Sequence, residues 1–261
     1  MSALRIERDG HVLNVTIDKP ERRNAFDAEL IRELTEAFTD VGDARAVVLA
    51  GDGPSFCAGA DIEWQRSSID LTYDENVEDA LRLYRMMEAI DGCPAPVIVR
   101  AHGYVLGGGS GLVACADIAI AAPDAVFGFT EVKLGIIPAV ISPFVIAKIG
   151  ESHARALFPG GKRFDAVRAQ RIGLVHEVVE GLAALDQAVE AAVADVLAAG
   201  PTAARAAKAI VREVRGLSHG SAKWHTARVI ARQRVTGEAR EGFEAFADKR
   251  RPAWAPNTDE T

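Results

Sequence analysis

Two short apolar runs, each leading into a glycine-rich loop, constrain the fold of this chain more than any other feature. Residues 46–50 lead into GDGPSFCAGAD, and residues 97–101 lead into HGYVLGGGSGL. Short continuous apolar runs are typical of strands that are buried on both faces. A segment with helical spacing, residues 77–90, lies between the two runs. The order strand, helix, strand predicts a parallel sheet with crossover connections, and therefore an α/β fold.

The N-terminal segment predicts a hairpin followed by a helix. Residues 4–8 and 11–17 alternate apolar and polar side chains around Asp9-Gly10, a dipeptide that favours tight turns. Residues 27–41 place apolar side chains at helical spacing, and Asp27 is suited to cap that helix.

The middle of the chain contains one weakly patterned segment among shorter elements. Residues 66–76 (RSSIDLTYDEN) are polar, and we expect a mobile loop there. A short helix over 109–116 and strands over 117–121 and 126–129 are expected to follow the second glycine-rich loop.

After about residue 142 the pattern is almost entirely helical. Ser142-Pro143 predicts a helix start with Ser142 as N-cap, and only residues 175–179 are typical of a strand. We therefore divide the chain into a β/α core, residues 1–195, and a helical C-terminal region, residues 196–261. The predicted helices cover 142–149, 151–158, 165–172, 183–199, 201–215, 221–236 and 237–249.

Composition excludes several functional classes. The formal net charge of −7 disfavours nucleic acid as a partner, because nucleic-acid-binding proteins present basic surfaces to phosphates. Cys57, Cys93 and Cys115 form no CxxC pair and predict reduced thiols, as in a cytoplasm. The sequence has no signal-type apolar stretch and no run of ~18 apolar residues, so we expect no membrane association.

Motifs for metal or covalent chemistry are absent from the sequence. The six histidines show no HxxxH or HExxH spacing, and there is no GxSxG elbow and no GK[ST] phosphate loop. Cys57 lies beside the first glycine-rich loop, but no histidine adjoins it to activate a thiol. We therefore interpret Cys57 as a packing residue and expect no metal ion.

The two glycine-rich loops allow two interpretations. Ligands bind beyond the carboxyl ends of strands in open α/β sheets, and glycine lets backbone N–H groups approach a ligand closely. The second loop also leads into a helix, whose N-terminus favours negative charge. Taken singly, however, each loop is explained more simply as a tight turn required for packing.

Taken together, the loops and their flanking motifs resemble the crotonase (enoyl-CoA hydratase/isomerase) superfamily. The resemblance rests on FCAGADI, HGYVLGGGSGL, CADIAIA and FGFTEVKLGIIP in that order, with ERRNAF at 21–26 and FEAFADKRRPAW at 243–254. It extends from about residue 4 to residue 254. It implies a crotonase-like ββα spiral core with a helical C-terminal trimerisation part, and enoyl-CoA hydratase activity.

The resemblance implies an oxyanion hole and one catalytic carboxylate. The backbone N–H groups of Ala60 and Gly108 would hold the thioester carbonyl oxygen as it becomes enolate-like. Glu131 would activate water or move a proton. Its neighbours in sequence are apolar, and burial among them would raise its pKa toward neutrality.

Gly111 departs from the pattern of the family, because typical hydratases of this family carry a second glutamate at that position. Three alternatives follow. The first, which we prefer, is hydration of a branched glutaconyl-CoA, as in leucine or acyclic-terpene breakdown, with a substrate carboxylate supplying the missing charge. This alternative rests on the resemblance of GGGSGL and EVKLGIIPAVISPF to that branch of hydratases. The second is a Δ3,Δ2-enoyl-CoA isomerase that uses one glutamate, and the third is an acyl-CoA-binding homologue without catalysis.

Coenzyme A is expected only as part of the substrate, with no permanently bound cofactor. Family members also borrow a C-terminal aromatic residue and a lysine from a neighbouring subunit, which implies a homotrimer or a homohexamer here. Trp64, Tyr73 and the segment between them are expected to line the acyl pocket, opposite residues 138–141 and Phe144. The residues that the resemblance places around CoA are Arg22, Arg23, Ala25, Ala58, Asp61, Ile62, Phe246 and Lys249.

Overall fold

The computed structural model describes residues 3–255 and begins with the expected hairpin. Strand β1 (Leu4–Asp9) pairs antiparallel with β2 (Val12–Ile17). Gly10 lies in the turn with a φ of 53°, a left-handed conformation that glycine adopts without steric cost. The hairpin predicted around Asp9-Gly10 is confirmed.

Two sheets form the framework of the described chain. The other strands are β3 (Ala46–Gly51), β4 (Val97–Ala101), β5 (Tyr104–Leu106), β6 (Ile118–Ala121), β7 (Val126–Gly128), β8 (Phe164–Asp165) and β9 (Glu177–Val178). The larger sheet has the order β1-β2-β3-β4-β6-β9, and every pairing after the hairpin is parallel. The smaller sheet has the order β5-β7-β8. The parallel α/β architecture predicted from the buried runs is confirmed.

Ten α-helices lie between residues 3 and 255. They are α1 (Ala28–Thr39), α2 (Ile62–Ser67), α3 (Tyr73–Asp91), α4 (Gly108–Cys115), α5 (Ser142–Leu157), α6 (Ala166–Arg171), α7 (Gly181–Ala198), α8 (Pro201–Glu213), α9 (His219–Arg234) and α10 (Gly237–Ala247). Asp27 caps α1 as predicted, since its carboxylate accepts a hydrogen bond from Leu30 N at 3.0 Å. None of the helices in this range is both long enough and apolar enough to cross a membrane.

A repeated order of elements positions the glycine-rich loops. Strand β4 of the large sheet is followed by β5 of the small sheet and then by α4, and β6 is followed in the same way by β7 and α5. Cys57, which follows β3, forms a parallel bridge with Val105 of β5. The first glycine-rich loop therefore joins the same strand–strand–helix repeat, as expected for a ββα spiral.

The segment predicted as a mobile loop, residues 66–76, is largely helical, so that prediction is wrong. Helix α2 extends to Ser67, a 3-10 turn follows, and α3 begins earlier than expected. Thr72 and Glu75 form a capping box, in which Glu75 N donates to Thr72 Oγ1 and Thr72 N donates to Glu75 Oε2. These two hydrogen bonds satisfy amides that a helix start leaves free, which explains why a polar segment begins a helix.

Two smaller expectations in the second half also differ from the structure. Ile141 occupies the N-cap position of α5, whereas Ser142 lies within the helix and donates its hydroxyl to Ala139 O at 2.7 Å. The predicted helices 142–149 and 151–158 are confirmed as two helical parts of α5, separated by Gly150, whose φ of 77° and ψ of 160° are not helical. Strand β8 was not predicted, because it has only two residues and forms through pairing with β7.

The large sheet is covered differently on its two faces. One face packs against α1, α3, α4 and α5 and forms the main apolar core with them. The other face packs against α7 through Leu185 and Val189. The predicted boundary between residues 195 and 196 falls inside α7, and the division into two regions stays a prediction.

Helices α8 to α10 bury little of their own surface in a single chain. Ala245 is the only buried residue that they contribute within the described range. The exposed large apolar side chains of α8 to α10 and their connections are Val211, Leu217, Trp224, Ile230, Val235, Phe243 and Phe246. The guanidinium of Arg45 ties this region to the core by donating to the backbone oxygens of Leu197, Ala199 and Trp254.

Candidate active site

The two glycine-rich loops lie against each other beyond the ends of β3 and β4. Cys57 N donates to Tyr104 O at 3.0 Å, and Leu106 N donates to Cys57 O at 3.0 Å. A Cβ atom on Gly59 would lie 2.7 Å from Leu106 O and 3.5 Å from Gly108 N. The absence of a side chain therefore lets the segment after Cys57 run directly beside the start of α4.

Ala60 N and Gly108 N are among the backbone N–H groups at this junction that have no acceptor within residues 3–255. Phe26 and Ala60 form a parallel bridge. The hydrogen bonds of this bridge are donated by neighbouring amides, and Ala60 N takes no part in them. Gly107 N donates to Gly128 O at 2.7 Å, whereas Gly108 N, the first amide of α4, donates to no acceptor. Free amides at a helix N-terminus favour negative charge. Ala60 and Gly108 both line the same cavity, which makes their free amides candidates to bind one ligand oxygen.

The backbone conformation of Gly107 brings the second loop against Glu131. Gly107 has φ 52° and ψ −122°, which only glycine adopts readily. A Cβ atom there would lie 3.2 Å from Glu131 Oε1, and a Cβ atom on Gly108 would lie 2.1 Å from the Phe26 ring. Both glycines are therefore required for the close approach of the loop, the carboxylate and the aromatic ring.

The carboxyl group of Glu131 is held in an environment that disfavours its charge. Glu131 begins a 3-10 helix (Glu131–Leu134) directly after the small sheet. Burial raises its pKa above the ordinary glutamate value, and a hydrogen bond from its own backbone amide offsets only part of that effect. Its Oε2 is buried and has no hydrogen-bond partner in the described structure. Such an orphan oxygen is a ready acceptor for water or substrate.

A cavity of about 570 Å³ joins Ala60, Gly108 and Glu131. Side chains between residues 134 and 141 line one part of it and are mostly apolar. The part formed by α2, α3 and their connection is more polar; its polar lining residues are Gln65, Arg66, Ser68, Asn76 and Asp79. The site thus combines two free amides, a buried carboxyl group and a pocket of mixed polarity.

The residues expected around the acyl chain are only partly brought to this cavity. Trp64 and residues 138–141 line it. Tyr73 does not line it and is 82% exposed on the first turn of α3. Phe144 also lies outside the lining and instead packs against Tyr84, with ring centroids 5.4 Å apart.

Gly111 lies in a space that neighbouring side chains already fill. A Cβ atom there would lie 2.5 Å from Ile141 Cγ2 and 3.1 Å from Met87 Cε. A glutamate at this position would require those side chains to move. The carboxyl groups among the described lining residues are therefore those of Glu131 and Asp79.

Arg22 and Asp61, both expected near CoA, are bonded to each other. Arg22 Nη1 lies 2.9 Å from Asp61 Oδ2 and 2.8 Å from Glu63 Oε2. Asp61 also caps α2, because its Oδ1 accepts hydrogen bonds from Glu63 N and Trp64 N. Burial raises the pKa of Asp61, but the hydrogen bonds from Trp64 N, Arg22 and Glu63 N outweigh it and lower that pKa overall. Arg22 would have to exchange a carboxylate for a phosphate in order to bind CoA.

The other residues expected around CoA in the first half lie close to the same junction. Arg23 has a φ of 52° and places its guanidinium 5.1 Å from the centroid of the Tyr104 ring. Ala25 is buried, and Ala58 N donates to Arg23 O at 2.9 Å. Ala58 and Ile62 line the cavity, and Ile62 is largely exposed there.

Phe246 and Lys249 lie at the end of α10, outside the cavity lining. The side chain of Phe246 is 88% exposed, and Lys249 has a φ of 54°. A single chain does not bring them to the junction of the two loops. Their role toward CoA requires a second subunit and stays a prediction.

Other reactive groups near the site are inert or absent. Burial raises the pKa of Cys57 to about 12, so its thiol stays protonated, as expected for a packing residue. No cluster of three His, Cys, Asp or Glu side chains suited to a metal ion occurs within residues 3–255.

Asn76 and Asp79 are lining residues that the sequence analysis missed, whereas Arg66 lies in the segment between Trp64 and Tyr73 that was expected to line the acyl pocket. The sequence predicts a loop over residues 66–76, which hides the helix face that carries Asn76 and Asp79. The pair Thr72 and Glu75 was the available signal, since a capping box fixes the start of α3. That start places Asn76, Asp79, Ala80 and Leu83 on one helix face, and all four line the cavity.

Comparison with known proteins agrees with this geometry. A sequence profile of the enoyl-CoA hydratase/isomerase family matches residues 7–257. A putative enoyl-CoA hydratase from Thermus thermophilus is 32% identical over 246 residues, which cover 93% of this chain and 97% of that protein.

Solved structures of relatives share the fold along nearly the whole chain. An enoyl-CoA hydratase from Shewanella pealeana superposes with a TM-score of 0.91 at 35% identity, covering 97% of this chain and 96% of that one. AtuE from Pseudomonas aeruginosa superposes with a TM-score of 0.93 at 35% identity, covering 97% of this chain and 100% of that one. The chain, with its crotonase fold, therefore belongs to the enoyl-CoA hydratase/isomerase family and is an enzyme of that family.

Proposed function

We propose that the enzyme hydrates an α,β-unsaturated acyl-CoA thioester, with Ala60 N and Gly108 N as the oxyanion hole and Glu131 as the catalytic carboxylate. The observation that carries this proposal is the convergence of two amides without acceptors and one buried orphan carboxyl oxygen on a single cavity. Each group lacks a partner within the described chain, and a thioester with a bound water supplies partners to all three.

The reaction follows from this arrangement. The thioester oxygen accepts hydrogen bonds from Ala60 N and Gly108 N, and these strengthen as the oxygen gains charge. Ionised Glu131 takes a proton from water while the water oxygen bonds to the β-carbon. The electrons of the double bond move onto the α-carbon and the thioester oxygen as an enolate. Glu131 then returns the proton to the α-carbon, which completes the addition of one water molecule.

The acyl group that we propose is a branched glutaconyl chain, which would place the enzyme in leucine or terpene breakdown in a cytoplasm. Gly111 supplies no second carboxylate, and Ile141 and Met87 fill its surroundings. A substrate that carries its own carboxylate brings the missing charge with it. The polar side chains on the α2–α3 side of the cavity favour such a substrate over a purely aliphatic one.

Coenzyme A enters this proposal as part of the substrate. Arg22, Arg23, Ala25, Ala58, Asp61 and Ile62 surround the junction where it would bind. Phe246 and Lys249 would contact it from a neighbouring subunit of a trimer or hexamer. The exposed apolar side chains of α8 to α10 support such an assembly.

A Δ3,Δ2-enoyl-CoA isomerase is the second candidate, and the observation that favours it is the single carboxylate beside the oxyanion hole. One glutamate is enough to move a proton between two carbons of the acyl chain. A homologue that binds acyl-CoA without catalysis is the third candidate.

The ultraviolet absorbance of the conjugated enoyl thioester separates these candidates. Crotonyl-CoA, 3-methylglutaconyl-CoA and a 3-enoyl-CoA would be offered to wild type, Glu131→Gln and Glu151→Gln, an exposed control on α5. We expect wild type to lose absorbance with the first two substrates, most with the branched one, and Glu131→Gln to be slower by about 100- to 10,000-fold. Because burial raises the pKa of Glu131, the acid limb of kcat/KM should lie above the ordinary glutamate range.

Three outcomes would contradict the proposal in different ways. Absorbance gained only with the 3-enoyl-CoA would identify the isomerase. No change with any thioester, together with measurable binding, would identify the non-catalytic homologue. Full activity of Glu131→Gln would remove Glu131 from the reaction.

A further inference from the structure

Arg66 is the only lysine or arginine among the described residues that line the cavity. Within residues 3–255 its guanidinium has neither an acidic partner nor a hydrogen-bond acceptor. The neighbouring guanidinium groups of Arg22 and Arg82 are both engaged with carboxylates. An arginine with a free planar fork is suited to a carboxylate, which it binds through two parallel hydrogen bonds.

The local structure of α2 leaves Arg66 free for a ligand. The last carbonyl groups of a helix need donors, and a basic residue there often supplies them. Here two serine hydroxyls do so, because Ser67 Oγ donates to Trp64 O and Ser68 Oγ donates to Gln65 O, both at 2.7 Å. Capping the end of α2 therefore does not require Arg66.

The position of Arg66 relative to the oxyanion hole matches a short diacid. Helix α2 begins two residues after Ala60, so the Arg66 Cα lies on the order of 8 Å along the chain from that residue. Side chains of a helix lean toward its N-terminus, so the guanidinium can return toward Ala60. The distal carboxylate of an extended five-carbon diacid lies about 5 Å from its thioester carbonyl carbon. A guanidinium reaching back from Arg66 is within range of that carboxylate.

We propose that Arg66 is the specificity residue that selects acyl-CoA thioesters whose acyl chain ends in a carboxylate. The assignment rests on the proposed function, since it takes the thioester carbonyl to be held by Ala60 N and Gly108 N. It adds to that function the group that recognises the far end of the substrate. Arg66 acts on binding, and Glu131 keeps the proton transfers.

Asp79 is the other charged side chain on this part of the cavity and works in the opposite direction. Its Oδ1 lies 3.4 Å from Arg82 Nη1, and its side chain is 19% exposed. Burial raises the pKa of Asp79, with Arg82 opposing that shift. A carboxylate that approached α3 would meet this acid, whereas one that approached α2 meets Arg66. The two side chains together favour one direction for an anionic acyl chain.

A matched pair of unreactive ligands tests the assignment. Glutaryl-CoA carries the distal carboxylate, and 5-methylhexanoyl-CoA replaces that carboxylate with an isopropyl group of similar shape. Calorimetric titration of the full-length protein gives Kd for each ligand. We expect wild type to bind glutaryl-CoA more tightly than 5-methylhexanoyl-CoA. Arg66→Gln should raise the Kd for glutaryl-CoA by about 10- to 100-fold and change the Kd for 5-methylhexanoyl-CoA by less than about twofold.

Three further variants sharpen the test. Arg66→Lys keeps the charge but loses the planar fork, so it should restore part of the preference. Asp79→Asn removes the opposing acid and should lower the Kd for glutaryl-CoA by about two- to fivefold. Arg85→Gln, an exposed arginine on α3 outside the cavity lining, should leave both Kd values unchanged.

The possible failures are distinguishable. An equal loss of affinity for both ligands in Arg66→Gln would mean that Arg66 contacts the CoA portion. No loss of affinity for either ligand would mean that Arg66 contacts neither ligand. Both results overturn the assignment. If wild type hydrates 3-methylglutaconyl-CoA and Arg66→Gln keeps the same preference over crotonyl-CoA, the assignment fails and the proposed function stands. If wild type hydrates neither thioester, the proposed function itself fails.

Discussion

The two sides of the cavity are built in different ways. One side, which we call the reaction wall, consists of Ala60, Gly107, Gly108 and Glu131. Its donors are backbone amides whose positions follow from the hydrogen bonds of both sheets, such as Gly107 N to Gly128 O at 2.7 Å. An added Cβ atom would overlap the Phe26 ring at Gly108 and would crowd the Glu131 carboxyl group at Gly107. Small displacements there would move the groups that we propose hold the thioester.

The other side, the acyl wall, consists of the lining residues of α2, α3 and their connection. Its groups are side chains, and its two helices begin at local caps, Asp61 for α2 and Thr72 for α3. Ile69, which belongs to this wall, is 79% exposed, and Tyr73 beside it is 82% exposed. Under the proposed function, the reaction is fixed by backbone geometry, whereas the choice of acyl chain is left to side chains that can change without disturbing the sheets.

The largest effect that separates the walls is expected from Gly107→Ala. Alanine would have to adopt a φ of 52° and a ψ of −122°, and its methyl group would lie 3.2 Å from Glu131 Oε1. It would shift Glu131 and the neighbouring Gly108 N–H together. We expect kcat for crotonyl-CoA to fall by about 100-fold, comparable to the loss of one oxyanion donor. Steady-state kinetics measures it.

Gly10→Ala is the matched control for that substitution. Gly10 has a φ of 53°, close to the 52° of Gly107, but a Cβ atom there would have no neighbour within 4 Å. Both variants put alanine at a positive φ, at a cost of at least about 1 kcal/mol of stability each, and only Gly107→Ala should lose kcat. Equal kcat values for the two variants would show that the reaction wall tolerates displacement, contrary to the comparison.

A smaller effect is expected on the free energy of unfolding, because the reaction wall buries the carboxyl group of Glu131 away from water. Its pKa is raised in the folded state, so between the unfolded and folded pKa values the native protein holds a proton that the unfolded chain has lost. The free energy of unfolding therefore falls as pH rises through that window. Glu131→Gln removes this titration and should be more stable than wild type at pH 8 by about 1 kcal/mol, with little difference at pH 4.

Thermal unfolding of wild type, Glu131→Gln and the exposed control Glu151→Gln at both pH values measures this difference. A variant that loses stability equally at pH 4 and pH 8 would show that the Glu131 carboxylate is well solvated or paired. The reaction wall would then not raise the pKa of Glu131.

Most strands and helices were predictable because their signals are local. Asp9-Gly10 determines the hairpin, Asp27 caps α1, and the runs at 46–50 and 97–101 form adjacent strands of the large sheet. The start of α3 was mistaken because its signal is the pair Thr72 and Glu75 within a polar segment, where helical periodicity is weak.

The site was less predictable because its main groups carry no side-chain signature. Ala60 N and Gly108 N are backbone amides, and only the resemblance of whole motifs identified them. The pairing of Arg22 with Asp61 spans 39 residues of sequence and follows from the approach of separate loops. The packing of Ile141 and Met87 around Gly111 is likewise a tertiary fact that spacing does not show.

The smallest expected effect comes from the acyl wall, through Thr72→Ala. This substitution removes the hydroxyl that accepts Glu75 N and should cost about 1 kcal/mol of stability, mainly by fraying the first turn of α3. Asn76 and Asp79 lie just beyond that turn, so KM for 3-methylglutaconyl-CoA should rise by about two- to fivefold while kcat stays close to wild type. Ser218→Ala removes a comparable cap, the one that accepts Ser221 N at the start of α9, outside the cavity lining. It should lose similar stability with no change in KM. A fall in kcat with Thr72→Ala alone would mean that the acyl wall positions the reacting groups after all, and that the two walls act as one unit.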